Sequence, residues 1–95
     1  MTSWEEIPPQ TPDVTCDVRG KRVEEACEHI NLFLDELYGR GRQVAFIIHG
    51  HGTGALKRAV REWLPRCDYV DAHRAGLPHE GGDGVTAVRL TTSAL

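Results

Sequence analysis

The hydrophobic period switches twice between residues 14 and 64, and that succession limits the fold more than any other feature of the chain. VTCDVRG (14–20) alternates: Val14, Cys16 and Val18 face one way and Thr15, Asp17 and Arg19 the other, as a half-buried strand requires. From Val23 the apolar residues recur at three and four, through Ala26, Cys27, Ile30, Leu34 and Leu37. This predicts a helix over 21–38. Glu24 and Glu25 suit its N-terminal dipole and Gly39 or Gly41 can close it, but the usual capping side chain is missing where Arg22 stands. QVAFII (43–48) is almost wholly apolar and β-branched, the pattern of a central strand. A second helix is expected from about Gly54, with Leu56, Ala59, Val60, Trp63 and Leu64 inward, Thr53 as N-cap and Pro65 as its stop. YVDAH (69–73) and VTAVRL (85–90) read as strands around a glycine-rich loop, RAGLPHEGGDG (74–84). The order is β-α-β-α-β-β. Two crossovers make at least the first two strands parallel, and amphipathic helices beside an alternating strand place both helices on one face, giving a two-layer α/β sandwich.

Ninety-five residues hold one domain. Pro8, Pro9 and Pro12 mark 1–13 as a flexible arm, with Trp4 either packed loosely or left as a contact, and 92–95 as a tail. No apolar run reaches the roughly 18–20 residues that span a bilayer, so no membrane association is expected. MTSWEEIPPQTPD lacks the basic start and apolar stretch of a secretory signal. Cys16, Cys27 and Cys67 are odd in number and widely spaced, matching neither a disulfide framework nor a metal knuckle. Cys16 and Cys27 fall on core faces as small buried hydrophobes, and a reducing, cytoplasmic setting is the expectation. The net charge is −3. Yet residues 39–66 carry Arg40, Arg42, Lys57, Arg58, Arg61 and Arg66 against Glu62 alone, while 1–38 hold nine acids against three bases. Such asymmetry reads as a basic surface patch or as a solvated helix face.

Parallel strands put their carboxyl ends on one edge, where open α/β sheets bind ligands. If the first two strands are neighbours, Asp17, Arg19 and His49 meet at that rim. The following HGHGTG (49–54) then reads as an anion site. Gly50, Gly52 and Gly54 permit positive φ, and the amides of the turn and of the helix start at Thr53 point outward. Lys57, Arg58 and Arg61 leave the same helix and could track neighbouring phosphates. Blander readings stand beside these. Asp17 could be solvated or serve turn amides, and His49 could donate to a loop carbonyl. His49 and His51 alternate like two metal ligands but lack a third partner, which argues against structural zinc. His73 and His79 have no positional argument, and Trp63 belongs to the apolar stripe of the second helix.

CDVRG (16–20), IIHGHGTGALKRAVREWL (47–64) and GGDGVTAV (81–88) together resemble the three signatures of the Smr (small MutS-related) domain, across about residues 14–91. Arg19 is similar to the form attached to the second bacterial branch of MutS-like proteins, so the chain could be a domain of a larger protein of that kind. Cys16 departs from the family's usual Leu, and His51 fills a variable slot often held by Lys. The resemblance implies a mixed four-stranded sheet with two helices on one face, like the C-terminal domain of translation initiation factor three. It also implies nucleic-acid binding, with nicking endonuclease activity in many members, and carries Asp17, Arg19, His49, Gly50 and Gly52 over as functional residues.

The expected activity is hydrolysis of a phosphodiester in DNA, with RNA as the alternative substrate, in DNA repair or control of recombination. Turn amides at 50–54 with Arg19 would hold the phosphate, with Thr53, Gly54, Lys57, Arg58 and Arg61 around it. Asp17 would position a water or a divalent cation (Mg²⁺ or Mn²⁺), and His49 would shuttle a proton. Glu6 is a further acid that could reach the rim, and no organic cofactor is expected. The competing class is a module that binds branched or nicked DNA without cutting it.

Overall fold

The computed structural model describes residues 10–91. Strands β1 (Thr15–Asp17), β2 (Val44–Ile48), β3 (Val70–Ala75) and β4 (Val85–Leu90) form one sheet, and helices α1 (Val23–Gly39) and α2 (Ala55–Trp63) pack on one face of it. The sheet order is β1-β2-β4-β3. β1 pairs parallel with β2, whereas β4 runs antiparallel to both β2 and β3. Three strands therefore point the same way, and the last one in sequence fills the slot between β2 and β3. This is the mixed four-stranded α/β sandwich that the order of periods and the motifs imply.

β1 is shorter than its alternating pattern, because only three residues keep strand geometry. A fourth position still pairs, since Val18 N–H donates to the Ile48 carbonyl at 2.9 Å. Val14, Cys16 and Val18 are buried as the alternation requires. They meet Ala26, Ile30, Leu34 and Leu37 of α1 in a core that Val60 and Leu64 complete beside α2. Two residues of the α1 stripe differ from expectation. Val23 is 38% exposed because it opens the helix at the rim of the sheet, and Cys27 is only half-buried at the flank of the stripe. Arg22 supplies no side-chain cap. At the other end Gly41, at φ 74°, permits a tight reversal in which Gly41 N–H bonds the Tyr38 carbonyl and Arg42 N–H that of Leu37.

α2 starts differently from its sequence pattern. Gly54, at φ 85°, takes the N-cap position and Thr53 stands one residue before it, its Oγ1 accepting the Ala55 N–H at 3.3 Å. A 3-10 turn, Leu64–Arg66, absorbs Pro65. β3 begins one residue later than expected and runs two residues further. The loop after it contains two 3-10 turns, Pro78–Glu80 and Gly82–Gly84. Buried Glu80 pins this loop, accepting from Arg74 at 2.7 Å and from the Leu77 N–H at 2.8 Å. A Cβ at Gly76 would lie 2.7 Å from the Gly82 carbonyl oxygen. Gly76→Ala is therefore expected to lower stability by about 1–3 kcal/mol, measured by urea unfolding, because a backbone atom cannot swing aside.

Residues 1–9 and 92–95, with Trp4 and Glu6, lie outside the described residues. Residues Pro12–Val14 form a 3-10 turn, and Asp13 pairs with Arg42 at 3.1 Å. Among the described residues no helix is long and apolar enough to cross a membrane.

Candidate functional site

Both His49 and Gly50 donate their N–H groups to the Gly84 carbonyl, at 3.1 and 2.9 Å. The HGHGTG turn is thereby fastened to the start of β4. The imidazole of His49 is buried, 5% exposed, with both nitrogens engaged. Nδ1 lies 3.0 Å from the Gly50 carbonyl and Nε2 2.8 Å from Thr86 Oγ1. A carbonyl only accepts, so Nδ1 carries the proton and Nε2 receives the Thr86 hydroxyl. Thr86 Oγ1 in turn accepts from Arg61 Nε at 2.8 Å. This chain, Arg61 to Thr86 to His49 to Gly50, favours the neutral ring. Burial lowers the pKa of His49 from its ordinary 6.5, the nearby Arg61 and Lys57 charges lower it further, and the Gly50 bond only partly opposes them. Both ring nitrogens of His49 are thus engaged, one of them with a loop carbonyl.

The amides of the turn divide into two groups. Gly50 N–H is spent on Gly84 and Gly54 N–H on the His51 carbonyl at 3.0 Å, so neither faces a ligand as expected. Those of His51, Gly52 and Thr53 have no partner among the described residues. They border a groove of about 380 Å³ whose walls are Gly20–Val23 on one side and His49–Lys57 on the other. Two helix N-termini without side-chain caps thus open onto one cleft, and no carboxylate lines it. Lys21 and Arg22 belong to its wall and were missed in the sequence, although they directly follow the β1 end that was singled out.

Asp17 pairs with Ile48 across the parallel ladder, so the ends of β1 and β2 lie side by side and His49 directly follows that pair. Arg19 links Asp17 to the turn. Its guanidinium forks the Asp17 carboxylate through Nη2 at 2.7 Å and Nε at 3.0 and 3.2 Å. Its methylene stem lies over Gly50, whose Cβ would sit 3.3 Å from Arg19 Cγ. The hydrogen bond from Arg19 holds the Asp17 carboxyl below the usual carboxylate range, so it is ionised at neutral pH. Both side chains remain largely exposed.

The basic side chains of α2 line a second groove of about 420 Å³ with Thr53, Gly54 and Glu62. Arg58 is exposed, whereas Lys57 and Arg61 share Asp83, at 2.5 and 2.9 Å. Their charges hold the Asp83 carboxyl down at about 2. Asp83 and Thr86 carry no period or motif that assigns them this part, since their partners stand more than twenty residues away. The ring of His51 rests against Gly84, where a Cβ would come within 2.9 Å of its Nε2. Burial depresses the pKa of His73, which sits near Arg61. No cluster of three His, Cys, Asp or Glu side chains that could hold a metal exists among the described residues, and Asp17 spends both oxygens on Arg19. This donor set does not fit a resident divalent cation.

Known proteins share this fold. A family model described as the Smr domain matches residues 16–91. The chain is 57% identical over 74 residues to an endonuclease MutS2 of Anaeromyxobacter sp. (strain Fw109-5), covering 78% of this chain and 9% of the relative. It is 48% identical over 80 residues to the endonuclease MutS2 of Symbiobacterium thermophilum, covering 84% and 10%. The chain therefore spans about a tenth of the length of these relatives. Among solved structures it is similar to the Smr domain of Thermus thermophilus MutS2, with a TM-score of 0.78 and 41% identity over 80% of this chain and 95% of that one. It also resembles YdaL, a stand-alone small MutS-related protein from Escherichia coli, with a TM-score of 0.83 and 27% identity over 88% and 69% of the two chains.

Proposed function

The chain belongs to the Smr domain family, and from that premise we propose that it is a nucleic-acid-binding module that hydrolyses a phosphodiester, nicking DNA in repair or control of recombination. The observation that carries this reading is the cleft between two uncapped helix N-termini, with the His51, Gly52 and Thr53 amides unpaired along it. Partial positive charge on both walls, with Lys21 and Arg22 added, favours a phosphate. The relatives' name, endonuclease MutS2, supports a cutting rather than a merely docking role.

In the hydrolysis a water oxygen adds to phosphorus, one P–O ester bond breaks, and the departing oxygen takes a proton. The unpaired amides and Arg19 stabilise the negative charge that grows on the phosphoryl oxygens. Asp17 lies outside the cleft wall but is held by Arg19, whose stem lies over Gly50 at the cleft's edge; from there its ionised, exposed carboxylate orients the water and accepts its proton. His49 is a positioning residue: its neutral ring fixes the backbone that presents Gly52. Because the donor set does not fit a resident cation, no step is routed through Mg²⁺ or Mn²⁺.

The test is nicking of supercoiled plasmid by the purified chain, with Mg²⁺, Mn²⁺ or chelator, beside Asp17→Ala. Cutting should fall at least about 100-fold in Asp17→Ala, with the circular dichroism of the native fold retained. Undiminished cutting by that variant would remove Asp17 from the reaction. Salt-sensitive DNA binding without cutting under any condition would instead leave a non-catalytic module for branched or nicked DNA. Cutting of an RNA hairpin but not of plasmid would make RNA the substrate.

A further inference from the structure

On the inner side of α2 the two cations nearest the sheet already have a counter-charge, and it comes from the loop before β4. Oδ2 of Asp83 lies 2.5 Å from Lys57 Nζ and Oδ1 2.9 Å from Arg61 Nη1, so one carboxylate is forked between them. Arg58, the next residue on α2, is exposed and has no ion-pair partner among the described residues. All three cations line the same groove. The Asp83 side chain is 52% exposed, so a carboxylate displaced from the pair returns to water with little change in its solvation. Resting on the nucleic-acid reading above, we infer that Asp83 is a tethered counter-ion that a nucleic-acid phosphate must displace from Lys57 and Arg61 before α2 can grip the backbone.

The physical consequence lies in the salt dependence. Binding a polyanion is driven largely by release of its condensed cations, in proportion to the number of phosphates neutralised. Lys57 and Arg61 can neutralise a phosphate only by leaving Asp83 uncompensated. The unpaired carboxylate then stays beside the ligand, because it cannot diffuse away as a chloride would. Asp83 therefore cancels one of the two positive charges while tying up both side chains, and limits grip to a phosphate that reaches both at once. Such a device discriminates against stray anions and favours a backbone already seated in the neighbouring cleft.

Fluorescence anisotropy with a labelled DNA duplex, titrated over a range of KCl concentrations, tests this in the whole chain. Asp83→Asn should bind about three- to tenfold more tightly at low salt. Its plot of log affinity against log salt should steepen by about 0.9, the increment for one further neutralised phosphate. Glu62→Gln is the control, since Glu62 lines the same groove and the charge change is identical, but no ion pair to Lys57 or Arg61 involves it. Equal effects of the two variants, or unchanged or weaker binding by folded Asp83→Asn, would overturn the inference. Lys57→Gln and Arg58→Gln give the same answer without altering the loop. Loss of Arg58 should weaken binding more than loss of Lys57, and equal losses would also overturn it. A wild-type chain that shows no salt-sensitive binding fails differently, striking down the nucleic-acid reading itself.

Discussion

Thr86→Val is expected to lower the unfolding free energy by about 2–4 kcal/mol, although it removes only a single hydroxyl. Thr86 is fully buried and stands between two groups that need it. It donates to His49 Nε2 and accepts from Arg61 Nε, each at 2.8 Å. Valine fills the same space and leaves a buried acceptor without a donor, while Arg61 retains partial access to water. The pH dependence should change with it. The folded chain disfavours protonated His49, so the stability contributed by the neutral ring is full above about pH 6.5 and is lost progressively below it, down to the ring's lower folded value. Without the Thr86 hydroxyl, neutral His49 loses its donor and that loss becomes shallower. Urea unfolding of both proteins between about pH 7 and 5 separates this from the carboxylates, whose depressed values place their own losses lower. His73 titrates in the same window, so the difference between the two curves is what reports on His49. A destabilisation below about 1 kcal/mol with parallel pH curves would mean that the chain of bonds through Thr86 does not brace the site.

Gly52→Asp should abolish nucleic-acid binding by about 100-fold while leaving the fold in place. Gly52 adopts φ 39°, a left-handed backbone that Asp and Asn tolerate better than other side chains. A Cβ there meets nothing within 4 Å, so the new side chain has room. What it brings is a carboxylate among amides that have no other partner, at the place proposed for a phosphate. Gly52→Asn supplies the same shape without the charge and should bind far better than Gly52→Asp. Equal binding by the two variants would move the phosphate away from this turn.

The elements were largely legible because each kept one period. VTAVRL becomes β4 residue for residue, and the stripe from Ala26 to Leu37 becomes the buried face of α1. The cap at Gly54 was misplaced by one residue, since a threonine hydroxyl near a helix start satisfies an amide from outside the cap position as well. Less of the site could be read. That β1 and β2 end together follows from their crossover, but the register pairing Asp17 with Ile48 does not. The sequence also names Lys57, Arg61 and His49 without their partners, because a lone threonine in an apolar strand and an aspartate between glycines look like solubility and turn chemistry. Long-range pairing gives two of the expected phosphate contacts a carboxylate partner and engages both ring nitrogens of His49.

The position of β4 also bears on how the chain is made. Strands one to three emerge from the ribosome first, yet β2 and β3 share no hydrogen bonds, and the last strand in sequence joins them. Until residues beyond Leu90 have left the exit tunnel, the nascent chain holds a parallel β1–β2 pair with an open edge and a β3 without a neighbour. The same last strand brings Thr86 to His49 and Gly84 to the HGHGTG turn. Assembly of the sheet and of the cleft therefore falls at one moment, once β4 has emerged, and no earlier intermediate can carry a finished cleft.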